Sequence, residues 1–467
     1  MFKYHRIFIR GLLLFTIFTA TQASAAHIEG FEPDYAGRTI EFMTWTDPVS
    51  KNEVPAFTLR IGPQGRIQVE TGVQEVLFCF AEFDSYRGKM IIIPGQTIKI
   101  KLPPLKEKTF EESKNPYFKP IELWIIGQVD DQEDLSTRFA RFDQRFYSLQ
   151  DKYFNQLFYR QQRQYLDSLS IPLEKEFAGT SQQEFSWHRR LMIKTTEAGI
   201  MRTGREKLLG SVKDLPPAAW RLPAFADLSD RLLTNTLSQE SKSAQGAKLR
   251  SMVSQQNLPE LKKWTENLTG TVAPLSDLLL LKILHDAFYS GEFPKNPILQ
   301  MLQQKHFSGH PAREVREAAA AVHAKLLFLH TGTQAPVVCL PALTGDTICS
   351  SSNAKPFQYI LFADLEIPVC REQVKYLTEI YERIGDRAEF LLILSPSEKI
   401  DNLEFITANK IPGKIATDDP NRNTGRKYKI RSYPSALLLN RDHKVVLSPA
   451  KTPLDGFELQ LQGIIKP

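Results

Sequence analysis

Cysteine is scarce in this sequence, and no two cysteines are separated by only two residues. The four cysteines among the 467 residues are Cys79, Cys339, Cys349 and Cys370. So few cysteines exclude a scaffold that is held together mainly by disulfides. Without a Cys-x-x-Cys pair or a His-Glu-x-x-His motif, the sequence also gives no indication of a zinc site. We therefore expect no bound metal and, because glycine-rich phosphate loops are absent too, no bound cofactor.

A strong charge of one sign is also lacking. Lys and Arg total 59 against 53 for Asp and Glu, which gives a formal net charge of +6. This mild excess gives no case for a nucleic-acid partner, because nucleic-acid-binding domains concentrate far more basic charge. In the body of the chain, the apolar stretch at 278–284 is short and contains Lys282. We therefore expect no transmembrane segment in the mature chain.

The N-terminal residues have the pattern of a secretory signal peptide. Basic residues precede an apolar run at 12–18, and small residues at 23–25 form a cleavage site. The apolar core is roughly ten residues long, whereas a membrane-spanning helix needs about twenty. The sequence therefore predicts a signal peptide over 1–25 and an exported, periplasmic mature chain.

Residues 26–105 show the alternation of apolar and polar residues that is typical of β-strands. The apolar runs are at 39–45, 56–61, 66–70, 76–80, 90–93 and 97–101. Glycine, proline and aspartate separate these runs at the spacing of turns. The pattern predicts an antiparallel β-sandwich over 26–105.

Residues 106–331 change to the three-to-four-residue spacing of helices and predict an all-α region. One stretch combines Phe139, Phe142, Phe146, Tyr147, Phe154, Phe158 and Tyr165 with Arg138, Arg141 and Arg145. Such a stretch suits either the core face of an amphipathic helix or a surface on which nucleic-acid bases stack. We favour core packing, because aromatic residues at this spacing are ordinary on a helix and an exported protein rarely meets nucleic acid.

Stretches of the C-terminal third follow one another in the order of a known fold. They are a hairpin-like stretch at 335–348, an apolar strand and a helix around Cys370, an apolar strand at 388–394, a helix at 403–410 and a second hairpin-like stretch at 428–446. This order resembles the thioredoxin superfamily, in particular its membrane-associated and periplasmic thiol:disulfide oxidoreductases. The resemblance implies an α/β thioredoxin-like domain over 332–467. Separately, 93–100 resembles the end of an N-terminal β-domain that many exported thioredoxin-like proteins carry.

The resemblance also assigns a role to Tyr433 and Pro434. In the family, the corresponding proline is cis, faces the redox motif and helps to bind substrate. A cis X-Pro bond costs only about 0.5 to 1 kcal/mol. Proline also leaves a backbone edge to which an extended substrate can pair. The alternative is a trans proline that begins an edge strand.

The redox motif that the family carries is degenerate in this chain. Ile367-Pro368-Val369-Cys370 stands where the family has Cys-x-x-Cys. The missing first cysteine is the attacking thiolate, which the helix N-terminus favours. Because isoleucine can neither attack a disulfide nor close one, we expect no dithiol activity. Cys370 is then the candidate catalytic residue, but a helix dipole contributes only about 0.3 to 1 kcal/mol, less than one pKa unit. A buried structural thiol is therefore the favoured interpretation.

The remaining cysteines allow several pairings. Cys339 and Cys349 flank a predicted turn almost symmetrically, so a disulfide across the hairpin is possible. A register slip of one residue would instead place them on opposite faces. Either cysteine could also act as a resolving partner for Cys370. Cys79, inside an apolar strand, is expected in the core.

Three functional hypotheses remain open. The first is a redox-inactive binding or scaffold protein, whose partner is a protein or peptide of the cell envelope that docks near Pro434. The second is a monothiol thiol-disulfide oxidoreductase acting through Cys370. In the third, the β-domain is the interaction surface and the thioredoxin-like domain is a spacer. The basic residues at 422–431 are either a solvated edge or a surface that favours an acidic partner.

Overall fold

A computed structural model of the chain describes residues 25–200, 204–343, 345–420 and 422–465. The predicted signal peptide lies outside these residues, apart from Ala25. Strands come first along the chain, helices occupy its middle, and a mixed α/β arrangement follows. The predicted fold class is therefore confirmed. Within the described residues, no helix combines the length and the apolar character that spanning a bilayer requires.

The N-terminal strands form two five-stranded sheets that share one core. The strands are β1 (Ala26–Phe31), β2 (Thr39–Trp45), β3 (Glu53–Arg60), β4 (Arg66–Thr71), β5 (Leu77–Phe83), β6 (Tyr86–Ile92), β7 (Thr97–Lys101), β8 (Ile121–Trp124), β9 (Ile126–Val129) and β10 (Gln132–Glu133). One sheet has the order β10-β9-β7-β1-β4 and the other β3-β2-β5-β6-β8. Ile28 and Ile98 of the first sheet and Phe42 and Met90 of the second are all buried in that core. Most pairings are antiparallel, but β1 pairs with β7 and β6 with β8 in parallel.

Strands β8 to β10 lie beyond the predicted end of the β-sandwich at residue 105. β8 continues the second sheet next to β6, and β9 pairs with β7 in the first. These strands have four, four and two residues. In strands this short, apolar and polar residues hardly alternate, so the sequence pattern does not predict these strands. A short helix, α1 (Phe110–Lys114), lies in the connection between β7 and β8.

The middle of the chain is helical. Its helices are α2 (Leu135–Lys152), α3 (Gln164–Glu176), α4 (Gln183–Ile200), α5 (Arg205–Gly210), α6 (Pro217–Trp220), α7 (Pro223–Leu233), α8 (Thr236–Glu240), α9 (Gly246–Ser254), α10 (Leu258–Thr269), α11 (Leu275–Tyr289), α12 (Lys295–Gln303), α13 (Lys305–Ser308) and α14 (Arg313–Leu327). Phe139, Phe142 and Phe146 of α2 are buried in the core, which confirms the core-packing interpretation for these three residues. The neighbouring Arg138 donates a hydrogen bond to Gln182, and Arg141 donates one to Glu133.

The C-terminal part is a five-stranded sheet with helices. Its elements are β11 (Cys339–Pro341), β12 (Thr347–Cys349), β13 (Phe357–Ala363), α15 (Pro368–Ile384), β14 (Ala388–Leu394), α16 (Asn402–Ala408), β15 (Lys414–Thr417), α17 (Asn423–Lys427), β16 (Ser435–Asn440), β17 (Val445–Ala450) and α18 (Phe457–Ile465). The sheet order is β15-β14-β13-β16-β17. Strands β13, β14 and β15 pair in parallel, whereas β16 pairs antiparallel with both β13 and β17. Separate apolar clusters cover its two faces. The central strand β13 is buried along almost its whole length, so its C-terminal end is rigidly placed.

Candidate functional site: the motif corner

Residues 367–370, which the sequence analysis interprets as a degenerate redox motif, lie where the central strand β13 ends and helix α15 begins. We call residues 364–370 the motif corner. The antiparallel pairing of β13 with β16 places Ser435 opposite Phe362. The Tyr433–Pro434 peptide bond, which is cis as the resemblance implies, precedes Ser435 directly. The motif corner and the predicted substrate-binding residues therefore lie at the same end of two adjacent strands.

Ile367 stands at the first position of the motif. It is the N-cap of α15, with extended backbone angles of φ −88° and ψ 120°, and Pro368 follows in the first turn. Proline suits this position because its missing N–H would have no acceptor within the helix. The Ile367 side chain packs against the apolar cluster beneath the helix, whereas Val369 is 52% exposed. The position at which the sequence interpretation expects the missing cysteine is thus occupied by an apolar side chain that cannot ionise.

Cys370 is fully buried at 0% exposure, on the face of α15 that also buries Val374 and Leu377. Burial raises the pKa of the Cys370 thiol to about 11, and the negative charge of Asp364 acts in the same direction. A backbone hydrogen bond from Asp364 and the positive charge of Arg371 oppose this effect without cancelling it. The Arg371 guanidinium is itself bonded to the carbonyl oxygen of Leu365 at 2.7 Å. At neutral pH the Cys370 sulfur is therefore a protonated thiol.

Two buried carboxylates belong to the motif corner, and the lysine that neutralises them comes from α1. Lys114 Nζ lies 2.8 Å from Asp364 Oδ2 and 2.6 Å from Glu366 Oε2. The side chains of Asp364, Glu366 and Lys114 are only 0%, 6% and 16% exposed. Arg422 Nη2 is 3.8 Å from Asp364 Oδ2, beyond hydrogen-bond distance. Lys114 is therefore the cation in direct hydrogen-bond contact with both carboxylates.

Glu366 is held by several donors in addition to Lys114. The Ser397 hydroxyl donates to Glu366 Oε1 at 2.8 Å, and the backbone N–H groups of Glu398 and Lys399 donate to the same oxygen at 3.1 and 3.3 Å. Burial acts to raise the pKa of Glu366. The hydrogen bonds from Lys114, Ser397 and the Lys399 backbone outweigh burial and lower this pKa to about 2. Glu366 is therefore ionised throughout the physiological pH range.

Tyr433 is electrostatically linked to this group of charges. The Arg422 guanidinium carbon lies 5.8 Å from the centre of the Tyr433 ring. Burial raises the pKa of Tyr433, and the negative charges of Asp418 and Asp364 act in the same direction while Arg422 opposes them. The phenol is therefore neutral at physiological pH. That Tyr433 and Pro434 bind substrate stays a prediction.

Cys339 and Cys349 form a disulfide across the hairpin of β11 and β12. They are directly opposite each other in the register, with their Cα atoms 4.0 Å apart. Of the two open alternatives, the structure therefore has the cross-hairpin pairing. The other two cysteines, Cys79 and Cys370, are free and buried, and Cys79 lies in the core of the N-terminal sheets. A resolving role towards Cys370 would require this disulfide to open first.

The sequence interpretation did not include the acidic pair or its lysine. Asp364 and Glu366 directly precede the motif, so a survey of charged residues around it could have found them. Lys114 lies 250 positions before Asp364, and no sequence pattern relates two such distant residues. The contact can be found only from the folded arrangement.

The sheet order and the family match together define the C-terminal domain as thioredoxin-like. More particularly, residues 331–448 match the AhpC/TSA family. The match leaves the N-terminal sheets and almost all of the helical region uncovered. No curated protein matches the chain significantly.

Several solved structures are similar to the same part of the chain. The thioredoxin domain of a thiol-disulfide oxidoreductase from Bacteroides vulgatus is 16% identical and aligns over 29% of this chain and 99% of its own length, with a TM-score of 0.27. A thiol:disulfide interchange protein from Bacteroides sp. is 16% identical over 30% of this chain and 91% of its own, with a TM-score of 0.27. StoA from Bacillus subtilis is 18% identical over 27% and 96%, with a TM-score of 0.23.

Proposed function

We propose that this chain is an exported cell-envelope protein whose thioredoxin-like domain binds a protein or peptide partner without catalysing dithiol exchange. In this proposal, residues 1–25 are a signal peptide, the N-terminal sheets and the helices form a scaffold, and residues 332–467 form the binding domain. The partner docks at the motif corner, next to Tyr433 and Pro434. The protein acts in the periplasm.

One observation carries this proposal: in the motif corner, the start of α15 presents an apolar side chain and a buried thiol. Ile367 occupies the start of α15, where the attacking thiolate would stand. The remaining thiol, on Cys370, is fully buried and has a pKa of about 11. The other free cysteine, Cys79, is buried in the N-terminal sheets. The site therefore lacks both an accessible thiolate and a second thiol with which to form a disulfide.

Two further observations support the binding role and the location. Pro434 and Tyr433 are both partly accessible beside the motif corner, so an extended partner could reach them. The hairpin disulfide between Cys339, which is exposed, and Cys349, which is partly buried, fits an oxidising compartment, in which such bonds persist. It agrees with the export that the N-terminal residues predict.

Reduction of insulin disulfides by a chemical reductant tests the absence of redox activity. We expect the wild-type chain to add no rate above the reductant alone. Ile367→Cys, which completes the family's motif, should gain activity, and Ile367→Ser serves as the matched control without a thiol. Wild-type activity that disappears in Cys370→Ala would contradict the proposal and support the monothiol alternative.

A further inference from the structure

We propose that the motif corner is a recognition site for a cationic side chain, that Lys114 occupies it in cis, and that a partner docks by replacing Lys114 with its own lysine or arginine. This inference rests on the proposed binding function and specifies what the partner must present. It concerns three side chains in direct contact, namely Lys114 with Asp364 and Glu366.

The occupant is a small, polar segment. Helix α1 has five residues, none of them buried, and is closed at its start by a reciprocal capping box between Thr109 and Glu112. Phe110, 38% exposed, contacts the ammonium of Lys399 at 3.2 Å from its ring centre. The Lys114 ammonium is the group of α1 that binds the two carboxylates of the motif corner. A segment in which no residue is fully buried, and which binds through one ammonium and one ring, is suited to reversible docking.

The two carboxyl groups of the motif corner nevertheless need a cation beside them. Asp364 is completely buried, and Arg422 is too distant for a hydrogen bond to it. If α1 left alone, two carboxylates would lose the cation that contacts both, and a buried charge without its partner is strongly unfavourable. Departure of Lys114 is therefore favourable only if another cation takes its place. This requirement selects for a partner that carries lysine or arginine.

The geometry of α1 defines the form of that partner. The ammonium enters between the two carboxylates, while an aromatic ring four residues earlier packs against Lys399. Residues three or four apart lie on one side of a helical turn. A fitting partner segment therefore carries an aromatic residue and, four positions later, a lysine or arginine. It would lie beside Tyr433 and Pro434, where a longer partner can continue.

Peptide binding to the full chain tests the proposal. The probe is a fluorescent synthetic peptide with the sequence of residues 105–118, compared with the same peptide carrying glutamine in place of its lysine at 114. In the wild type, tethered α1 competes at an effective concentration of about millimolar, which weakens binding of the free peptide. In Lys114→Gln the competitor lacks its ammonium. We expect the lysine peptide to bind this variant at least about tenfold more tightly than the wild type.

Two matched variants serve as controls. Lys119→Gln removes an exposed lysine from the same connection, and Lys114→Arg keeps the cation; both should bind the peptide as weakly as the wild type does. The glutamine peptide should bind none of the chains. Equal binding of the two peptides, equal binding to all variants, or no binding to Lys114→Gln would each overturn the proposal.

A second measurement uses the wild-type chain and so does not depend on how well a variant folds. Saturating lysine peptide should increase hydrogen exchange at the amides of 111–114, because α1 is displaced, and should leave the amides of β13 protected. Unchanged exchange at 111–114 would overturn the proposal. Neither measurement involves thiol chemistry, so insulin reduction by the wild type would refute the proposed function while leaving this test intact.

Discussion

The reactivity of Cys370 gives a quantitative test of the motif corner. Burial raises the pKa of this thiol from its ordinary value of 9.0 to about 11. Since the thiolate is the reactive form, a shift of about two units lowers the thiolate population about a hundredfold at any pH well below 9. Shielding of the sulfur, which is 0% exposed, slows the reaction further. Cys370 should therefore alkylate at least about a hundredfold more slowly than an unperturbed cysteine.

The assay is alkylation by iodoacetamide, with the modified cysteine identified by peptide mass mapping. The same chain in denaturant gives the alkylation rate of the unfolded Cys370 thiol. The variant Cys370→Ala shows which alkylated peptide contains Cys370. Cys79 is an internal comparison, because burial alone raises its pKa strongly. As pH rises from about 7 to about 10, the Cys370 rate should increase about tenfold per unit without a plateau.

Two results would refute this reasoning. One is native-state alkylation of Cys370 within about threefold of the unfolded rate near neutral pH, which would mean an accessible, ionised sulfur. The other is a rate that levels off below about pH 9, which would place the pKa at or below its ordinary value. Either result would favour the monothiol alternative.

Three further predictions concern stability. Because the pKa of Glu366 is lowered from 4.5 to about 2, its contribution to stability is present above pH 4.5 and is lost as pH falls towards 2. Glu366→Gln should therefore flatten the acid side of the profile of melting temperature against pH, and an unchanged profile would contradict this. Cys349→Ser opens a disulfide across a sequence separation of 10 and should cost about 2 to 3 kcal/mol in denaturant unfolding, with Cys339→Ser giving the same loss. Phe139→Ala should lower the free energy of unfolding by about 3 to 5 kcal/mol. Tyr147→Ala on the same helix, at a site 50% exposed, should lower it by less than about 1 kcal/mol. A loss for Phe139→Ala as small as that for Tyr147→Ala would mean that the ring of Phe139 is not in the core.

The sequence predicts those elements whose patterns are long enough to repeat. The predicted strands at 39–45, 97–101 and 388–394 coincide with β2, β7 and β14. Each has at least two cycles of alternation or is a continuous apolar run. The register of the cross-hairpin pairing does not follow from the sequence, because a slip of one residue would place Cys339 and Cys349 on opposite faces. The pairing in the structure places them directly opposite each other.

The chemistry of the motif corner could be predicted only in part. The isoleucine three positions before Cys370 is visible in the sequence, as is the proline after Tyr433. The raised pKa of Cys370 depends on how completely the first turn of α15 is buried, which the sequence suggests but does not measure. The contact of Lys114 with Asp364 depends on how the β7–β8 connection meets a domain 250 residues later. Periodicity reports one element at a time and gives no information about such contacts.

The charges around the motif explain why this corner suits an ammonium better than a thiolate. A dithiol active site depends on positive potential at the start of its helix, which stabilises the attacking sulfur as an anion. Here that region already contains two buried carboxyl groups, Asp364 and Glu366, and the charge of Asp364 acts to raise the pKa of Cys370. A thiolate would be a third negative charge in the same place. Lys114 supplies the positive charge instead, from another part of the chain. The Ile367 side chain cannot take part in disulfide exchange, whereas the acidic pair binds the ammonium of Lys114.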